Sequence, residues 1–173
     1  GRLAQARSAS FVPALGEHPG LVSAAHRWPA AMPRPTPAAL AAWEGGEQRK
    51  MEEFARAEAL ALFDYLRKSR SYGFVVSLSG GADSAAVVCL IALAIRGALA
   101  ELGLAGVKQR LGYIPAVAGC ADEATLIAAL LTTLYQATAN SSAVTSDAAR
   151  AVAVAIGATH REIDVEPFVQ GYV

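Results

Sequence analysis

Between Gln48 and Ser69 the chain has neither glycine nor proline, and Met51, Phe54, Ala55, Leu62, Tyr65 and Leu66 recur at three- and four-residue steps. That spacing lines one face of an α-helix, so an amphipathic helix is predicted over 48–69. Ser71-Tyr72-Gly73 closes it, with a glycine suited to the positive φ at which helices end. Phe74-Val75-Val76-Ser77-Leu78 then reads as a short buried strand. From Asp83 to about Leu102 nearly every position is apolar. A helix that is apolar all round must be buried, here against a sheet.

Farther along, Gly103, Gly106, Gly112, Pro115 and Gly119 interrupt the pattern. Residues 103–123 are therefore expected to be an insertion or loop, with a short helix over Asp122 to Ala128. Leu130 to Tyr135 has the β-branched and aromatic content of a strand. Thr145 and Asp147 open a capped helix running to Ile156, Gly157 ends it, and Thr159 to Val165 supplies a third strand. Strand, helix, strand, helix, strand in that order calls for right-handed crossovers between parallel strands. The predicted fold class is α/β, a doubly wound parallel sheet, Rossmann-like. Ligands on such sheets bind beyond the carboxyl ends of the strands, where Ser79 and Asn140 both fall.

A length of 173 residues, 54% of them hydrophobic and many of these alanine, fits one ordinary domain of closely packed helices on a sheet. Pro13, Pro19, Pro29, Pro33, Pro35 and Pro37 set residues 1–46 apart as a linker or arm, with His18 and His26 in it and Trp28 and Trp43 as docking anchors. Residues 47–173 are the expected domain. The 15 basic and 15 acidic residues balance and form no basic stripe, so nucleic acid is not an expected partner. The longest unbroken apolar stretch, Ala85 to Ile95, is shorter than the roughly 20 residues of a membrane span, so no membrane is expected either. Cys89 and Cys120 are expected to be buried, inert thiols in a reducing cytoplasm. A start at Gly1 rather than methionine suggests a piece of a longer chain.

The chemistry concentrates in Ser79-Gly80-Gly81-Ala82-Asp83-Ser84. Two adjacent glycines without Cβ atoms let the backbone bend sharply and bring N–H groups against an anion. The helix that follows adds unpaired amides and a positive dipole end. Ser79 and Ser84 can donate hydroxyl hydrogen bonds, whereas Asp83 would repel phosphate unless a cation such as magnesium lies between. The plainer alternative is a capped helix after a tight turn, but the position between a strand and a long apolar helix favours a phosphate seat. The chain has no Gly-Lys-Ser/Thr ending of a Walker loop, no G-x-G-x-x-G turn, and Ser77 where a G-x-S-x-G elbow needs glycine.

These residues resemble the N-type ATP pyrophosphatase superfamily, with its adenine nucleotide alpha hydrolase-like fold, and within it the synthetase domain of glutamine-dependent NAD synthetases. The likeness runs through Ala57 to Lys68 (AEALALFDYLRK), Ser77 to Ser84, Thr133 to Ser142 (TLYQATANSS), Gly157 to Asp164 and Gly171-Tyr172, covering about residues 48 to 173. It implies an ATP-dependent amidating ligase that adenylates deamido-NAD and passes it to ammonia, with no side-chain nucleophile. ATP would be bound by Ser77, Leu78, Ser79, Gly80, Gly81, Ala82, Asp83 and Ser84, with Tyr135, Gln136 and Asn140 on its adenosine part and Asp83 on Mg2+. It further implies a homo-oligomer and a glutaminase domain or subunit that draws ammonia from glutamine; no such glutaminase lies in these 173 residues. Sister enzymes of the GMP synthetase, asparagine synthetase and tRNA-thiolation kinds, and a non-catalytic ATP-binding fragment, are the alternatives. Ser77 stands where the family usually has glycine, 103–128 is longer than the usual connection, and a sheet incomplete at the C-terminus is expected. His160 is assigned to a strand surface.

Overall fold

The computed structural model describes residue 39 and residues 41–171. The expectations for Trp28, His18, His26, Tyr172 and nearly all of the Pro-rich arm lie outside them. After a 3-10 turn at Ala42–Gly45 come α1 (Arg49–Ser69), β1 (Phe74–Ser77), α2 (Ala82–Arg110), α3 (Pro115–Ala118), α4 (Glu123–Leu130), β2 (Leu131–Ala137), α5 (Ala143–Ile156), β3 (Thr159–Asp164) and α6 (Glu166–Gln170). The strands form one parallel sheet in the order β1-β2-β3, with Val76 opposite Thr133 and Thr133 opposite His160. The predicted α/β class with parallel crossovers is the observed one.

Residues paired across a parallel sheet point to the same face. Val76, Thr133 and His160 share the face on which α2 and α5 pack, and α1 lies along α2. Both crossovers run in the same direction across the sheet, which places their helices on one side. Val75, on the opposite face, is 69% exposed. Thr133 is fully buried, and its hydroxyl meets His160 Nδ1 at 2.8 Å. His160 therefore sits under α5 rather than on an open strand surface, because its register with Thr133 turns it toward the helices.

By length and composition α2 is apolar enough to cross a membrane. Its apolar positions instead have partners here: Val88, Ile91, Ala92, Ala94, Ile95 and Ala98 are buried, and the helix contacts α1, β1, β2, α4 and α5. Val87, Cys89 and Leu93 stay exposed, Val87 on a different side of the helix from the other two. Cys89 is thus not the buried thiol expected from its apolar surroundings, whereas Cys120 is buried. At Gly103 (φ 65°, ψ 170°) the helix is kinked, where the sequence places its end.

The expected loop over 103–123 is largely helical. Val107, Leu111, Ile114 and Val117, at three- and four-residue steps, are all buried with Leu126, Ile127 and Leu130 of α4. Glycine punctuation hid this periodicity, since short helices draw their stability from burial more than from propensity. The Asp122 carboxylate caps α4 by accepting from the Thr125 amide (2.8 Å), which holds its pKa below the ordinary carboxylate value. The Tyr113 hydroxyl donates to the Leu66 carbonyl at the end of α1 (2.7 Å), and burial keeps it protonated by raising its pKa. α1 ends on Arg70, not on the predicted glycine, in the left-handed region (φ 58°), with its guanidinium 4.3 Å from the centre of the Tyr113 ring. That stacking offsets the strain of a residue with a Cβ in this conformation.

Gly73 (φ 142°) lies against β2's approach, where an added Cβ would fall 2.6 Å from the Leu130 carbonyl oxygen, while one on Gly97 would meet nothing within 4 Å. In urea unfolding, Gly73→Ala should lower stability by about 2 kcal/mol or more and Gly97→Ala raise it by about 0.5–1 kcal/mol. Glu162 on β3 is held below its ordinary pKa by the Arg150 guanidinium of α5. A depressed pKa stabilises the fold above the unfolded value and loses that effect as pH falls through the folded one. The difference in melting temperature between the natural chain and Glu162→Gln should therefore be present near neutral pH and vanish in strong acid, as followed by thermal melts across pH.

Candidate functional site

β1 ends where the Leu78 amide donates to the Leu134 carbonyl (2.8 Å), and the Leu78 side chain is fully buried. Leu78 thus packs the strand end; its side chain does not line a ligand site. The chain then turns through Gly80 (φ 84°) and Gly81 (φ −91°, ψ 166°) into α2. A Cβ on Gly80 would overlap the carbonyl oxygen of Thr145 on α5. Both the conformation and the packing at this position therefore require glycine.

Two serines brace the turn. Ser79 N–H donates to Ser84 Oγ (3.2 Å), Gly81 N–H donates to Ser79 Oγ (3.3 Å), and Ser84 Oγ donates to the Gly81 carbonyl (3.2 Å). With its single proton committed there, Ser84 accepts from the Ser79 hydroxyl at 3.1 Å. The amides of Gly80, Ala82, Asp83 and Ser84 have no protein acceptor among the described residues. Three of them belong to the first turn of a helix, where no intrahelical acceptor exists and the dipole end is positive. The serine hydroxyls hold the loop's shape, and the main chain supplies the free donors.

Asp83 is exposed in that first turn. Among the described residues no group of three or more His, Cys, Asp or Glu side chains could hold a metal ion. A lone carboxylate fits magnesium that completes its shell with phosphate oxygens and water rather than a resident all-protein site.

Beside the loop is a cleft of about 310 Å3 lined by Ser77, Ser79, Tyr135, Gln136, Asn140, Ser141 and Thr145. The predicted residues at the end of β1 are thus brought together with Tyr135 and Gln136, which lie within the end of β2 rather than after the strand, and with Asn140 beyond it. The Ser77 hydroxyl donates to Gln136 Oε1 (2.8 Å), which leaves the Gln136 amide nitrogen to donate into the cleft. Tyr135 is 5% exposed and its hydroxyl is 2.7 Å from Thr145 Oγ1, so it joins β2 to α5 as well as lining the cleft. Asn140 is exposed, in a turn where its amide donates to Thr138 Oγ1 (3.3 Å). A larger groove of about 540 Å3 lies between α1 and α2, bordered by Phe63, Leu93 and Arg96 and by no residue of the loop. Chemistry rather than size locates the site.

Thr145 and Ser141 were not foreseen at this cleft. Thr145 was expected to open α5, but Ser142 is the N-cap, its Oγ accepting the Thr145 amide (3.3 Å). The Ser-x-x-Thr spacing was visible in the sequence; the approach of α5 to the β1 loop, which depends on the crossover geometry, was not.

The family model described as NAD synthase matches residues 55–173. The glutamine-dependent NAD(+) synthetase of Bos taurus is 37% identical over 131 residues, which cover 70% of this chain and 18% of that protein. The protein of the same name from Homo sapiens is 37% identical over 129 residues, covering 69% of this chain and 17% of that one. Among solved structures, a glutamine-dependent NAD(+) synthetase from Cytophaga hutchinsonii matches with a TM-score of 0.65 and 42% identity, over 71% of this chain and 23% of that chain. The chain thus spans less than a fifth of the length of these curated relatives. With the loop, the parallel sheet and these likenesses all falling on the same residues, the chain belongs to the NAD synthase family.

Proposed function

We propose that this chain provides the ATP site of a glutamine-dependent NAD synthetase. The observation that carries the reading is the set of amides at Gly80, Ala82, Asp83 and Ser84 that have no acceptor among the described residues, gathered after the end of a parallel strand and at the start of α2. In the proposed reaction a carboxylate oxygen of deamido-NAD attacks the α-phosphorus of ATP, the α–β bridging P–O bond breaks, and pyrophosphate leaves. Ammonia then attacks the acyl-adenylate carbonyl, the C–O bond to AMP breaks, and the amide of NAD forms with loss of a proton to solvent.

The amides would receive the β- and γ-phosphates, where negative charge grows as pyrophosphate departs, and fixed donors there stabilise the transition state without reorganising. Asp83 would hold magnesium against the same oxygens, and that ion supplies further charge neutralisation. Gln136 and Asn140 would face the adenosine part across the cleft. Ammonia would come from glutamine through a glutaminase domain or subunit. The same amides would equally serve a second reading, a module that binds ATP without completing the chemistry.

Pyrophosphate release measured with ATP and magnesium decides between them. Release that requires deamido-NAD and ammonia is expected; release driven by xanthylate, aspartate or tRNA would move the acceptor elsewhere, and saturable ATP binding without release would establish the second reading. Gly80→Ala should weaken magnesium-ATP binding by more than about tenfold in calorimetry, since it combines an unfavourable φ with a steric overlap. Asp83→Asn should reduce the dependence of ATP affinity on magnesium concentration, and an unchanged dependence would remove Asp83 from the metal.

A further inference from the structure

Thr145 stands at the junction of three elements that the proposed phosphate seat needs. Its backbone carbonyl is packed against Gly80 so closely that no Cβ fits between them. Its hydroxyl donates to the Ser142 carbonyl (2.9 Å), which commits its one proton within α5. The contact to Tyr135 Oη at 2.7 Å is a hydrogen bond between the two hydroxyls, and a proton given to Ser142 leaves the tyrosine as its donor. Tyr135 is a core residue of β2, 5% exposed, with little freedom to move. A continuous path thus runs from the rigid middle of the sheet, through the Tyr135 hydroxyl and the Thr145 side chain, to the carbonyl that backs Gly80.

We propose that Thr145, held by Tyr135, is a positioning residue that fixes the pitch of the Gly80-Gly81 turn and so aims the free amides of the loop at the pyrophosphate portion of the nucleotide. This rests on the reading of the loop as a phosphate seat. A turn this short has few internal restraints: Ser79 and Ser84 tie it to itself and to α2, and neither ties it to the far side of the cleft. The carbonyl of Thr145 supplies that missing backstop. Without the Tyr135 hydrogen bond, the first turn of α5 is free to withdraw and Gly80 gains room to relax away from the anion. The effect falls most on ligands that carry the pyrophosphate group, because the path ends at the loop and not at the Gln136 and Asn140 side of the cleft.

Calorimetric titration of the full chain with magnesium pyrophosphate and, separately, with AMP tests this. Thr145→Val and Tyr135→Phe should each weaken pyrophosphate by about tenfold, the scale of one lost positioning hydrogen bond, and weaken AMP by clearly less. Thr145→Ser, which keeps the hydroxyl, should restore the natural affinity. The double variant should bind no more weakly than Thr145→Val alone, since both changes remove the same hydrogen bond. Unchanged pyrophosphate affinity in Thr145→Val, with the natural chain binding normally, overturns the positioning role and leaves the phosphate seat standing. Equal weakening of both probes also overturns it, as would loss of AMP in Tyr135→Phe, which would make that hydroxyl an adenosine contact. If the natural chain binds neither probe, the phosphate seat itself falls and the positioning role with it.

Discussion

A single glycine in the left-handed region, pressed against the carbonyl of a neighbouring helix, is the constraint around which this structure is arranged. Gly80 has no Cβ to separate it from Thr145, and its φ of 84° helps turn the chain from β1 into α2 within the four residues Leu78 to Gly81. A wider turn would carry the start of α2 away from the sheet, and the amides that no helix can pair internally would face solvent in no common direction. The close approach makes them converge.

The rest of the fold serves that geometry. β2 lies between β1 and β3, so the strand whose end carries the loop is registered against a central neighbour whose Leu131, Thr133 and Tyr135 are buried. The apolar mass of α2 is clamped by α1, α4, α5 and the sheet, which fixes the direction in which its N-terminus points. On the other side, the ion pair of Arg150 with Glu162 and the hydrogen bond of Tyr135 with Thr145 anchor α5 to β3 and β2. Exposed ion pairs contribute little to stability, so the Tyr135 hydrogen bond, made from a buried side chain, is the stronger restraint on the first turn of α5.

Much of this was legible in the residues because the relevant signals are local. The extents of α1 and α2, the existence of β1, the glycine that ends α5 and the Ser-Gly-Gly turn each depend on neighbours within a few positions. The face of α1 does not: Met51, Phe54 and Tyr65, expected on its apolar face, are exposed, and Ala59, Phe63 and Leu66 are buried. Likewise β1, expected to be buried, leaves Val75 exposed. The stretch from Gly103 to Glu123 was misread because its helices owe their existence to the burial of Val107, Leu111, Ile114 and Val117 against elements distant in sequence. Arg70 took the helix-ending conformation assigned to Gly73 because Tyr113, remote in the chain, offers its ring for stacking. Thr145 escaped notice at the site for the same reason: the residues that define its role, Gly80 and Tyr135, come together only when the crossovers are complete.

The central claim is that unpaired main-chain amides, rather than side chains, form the anion seat. Amide 1H–15N spectra of the chain, recorded as magnesium pyrophosphate is added, test it residue by residue. The amide resonances of Gly80, Ala82, Asp83 and Ser84 should move in concert and saturate together, while those bordering the groove between α1 and α2 stay in place. Stationary resonances at those four positions, or saturable changes centred on that groove instead, would contradict the account.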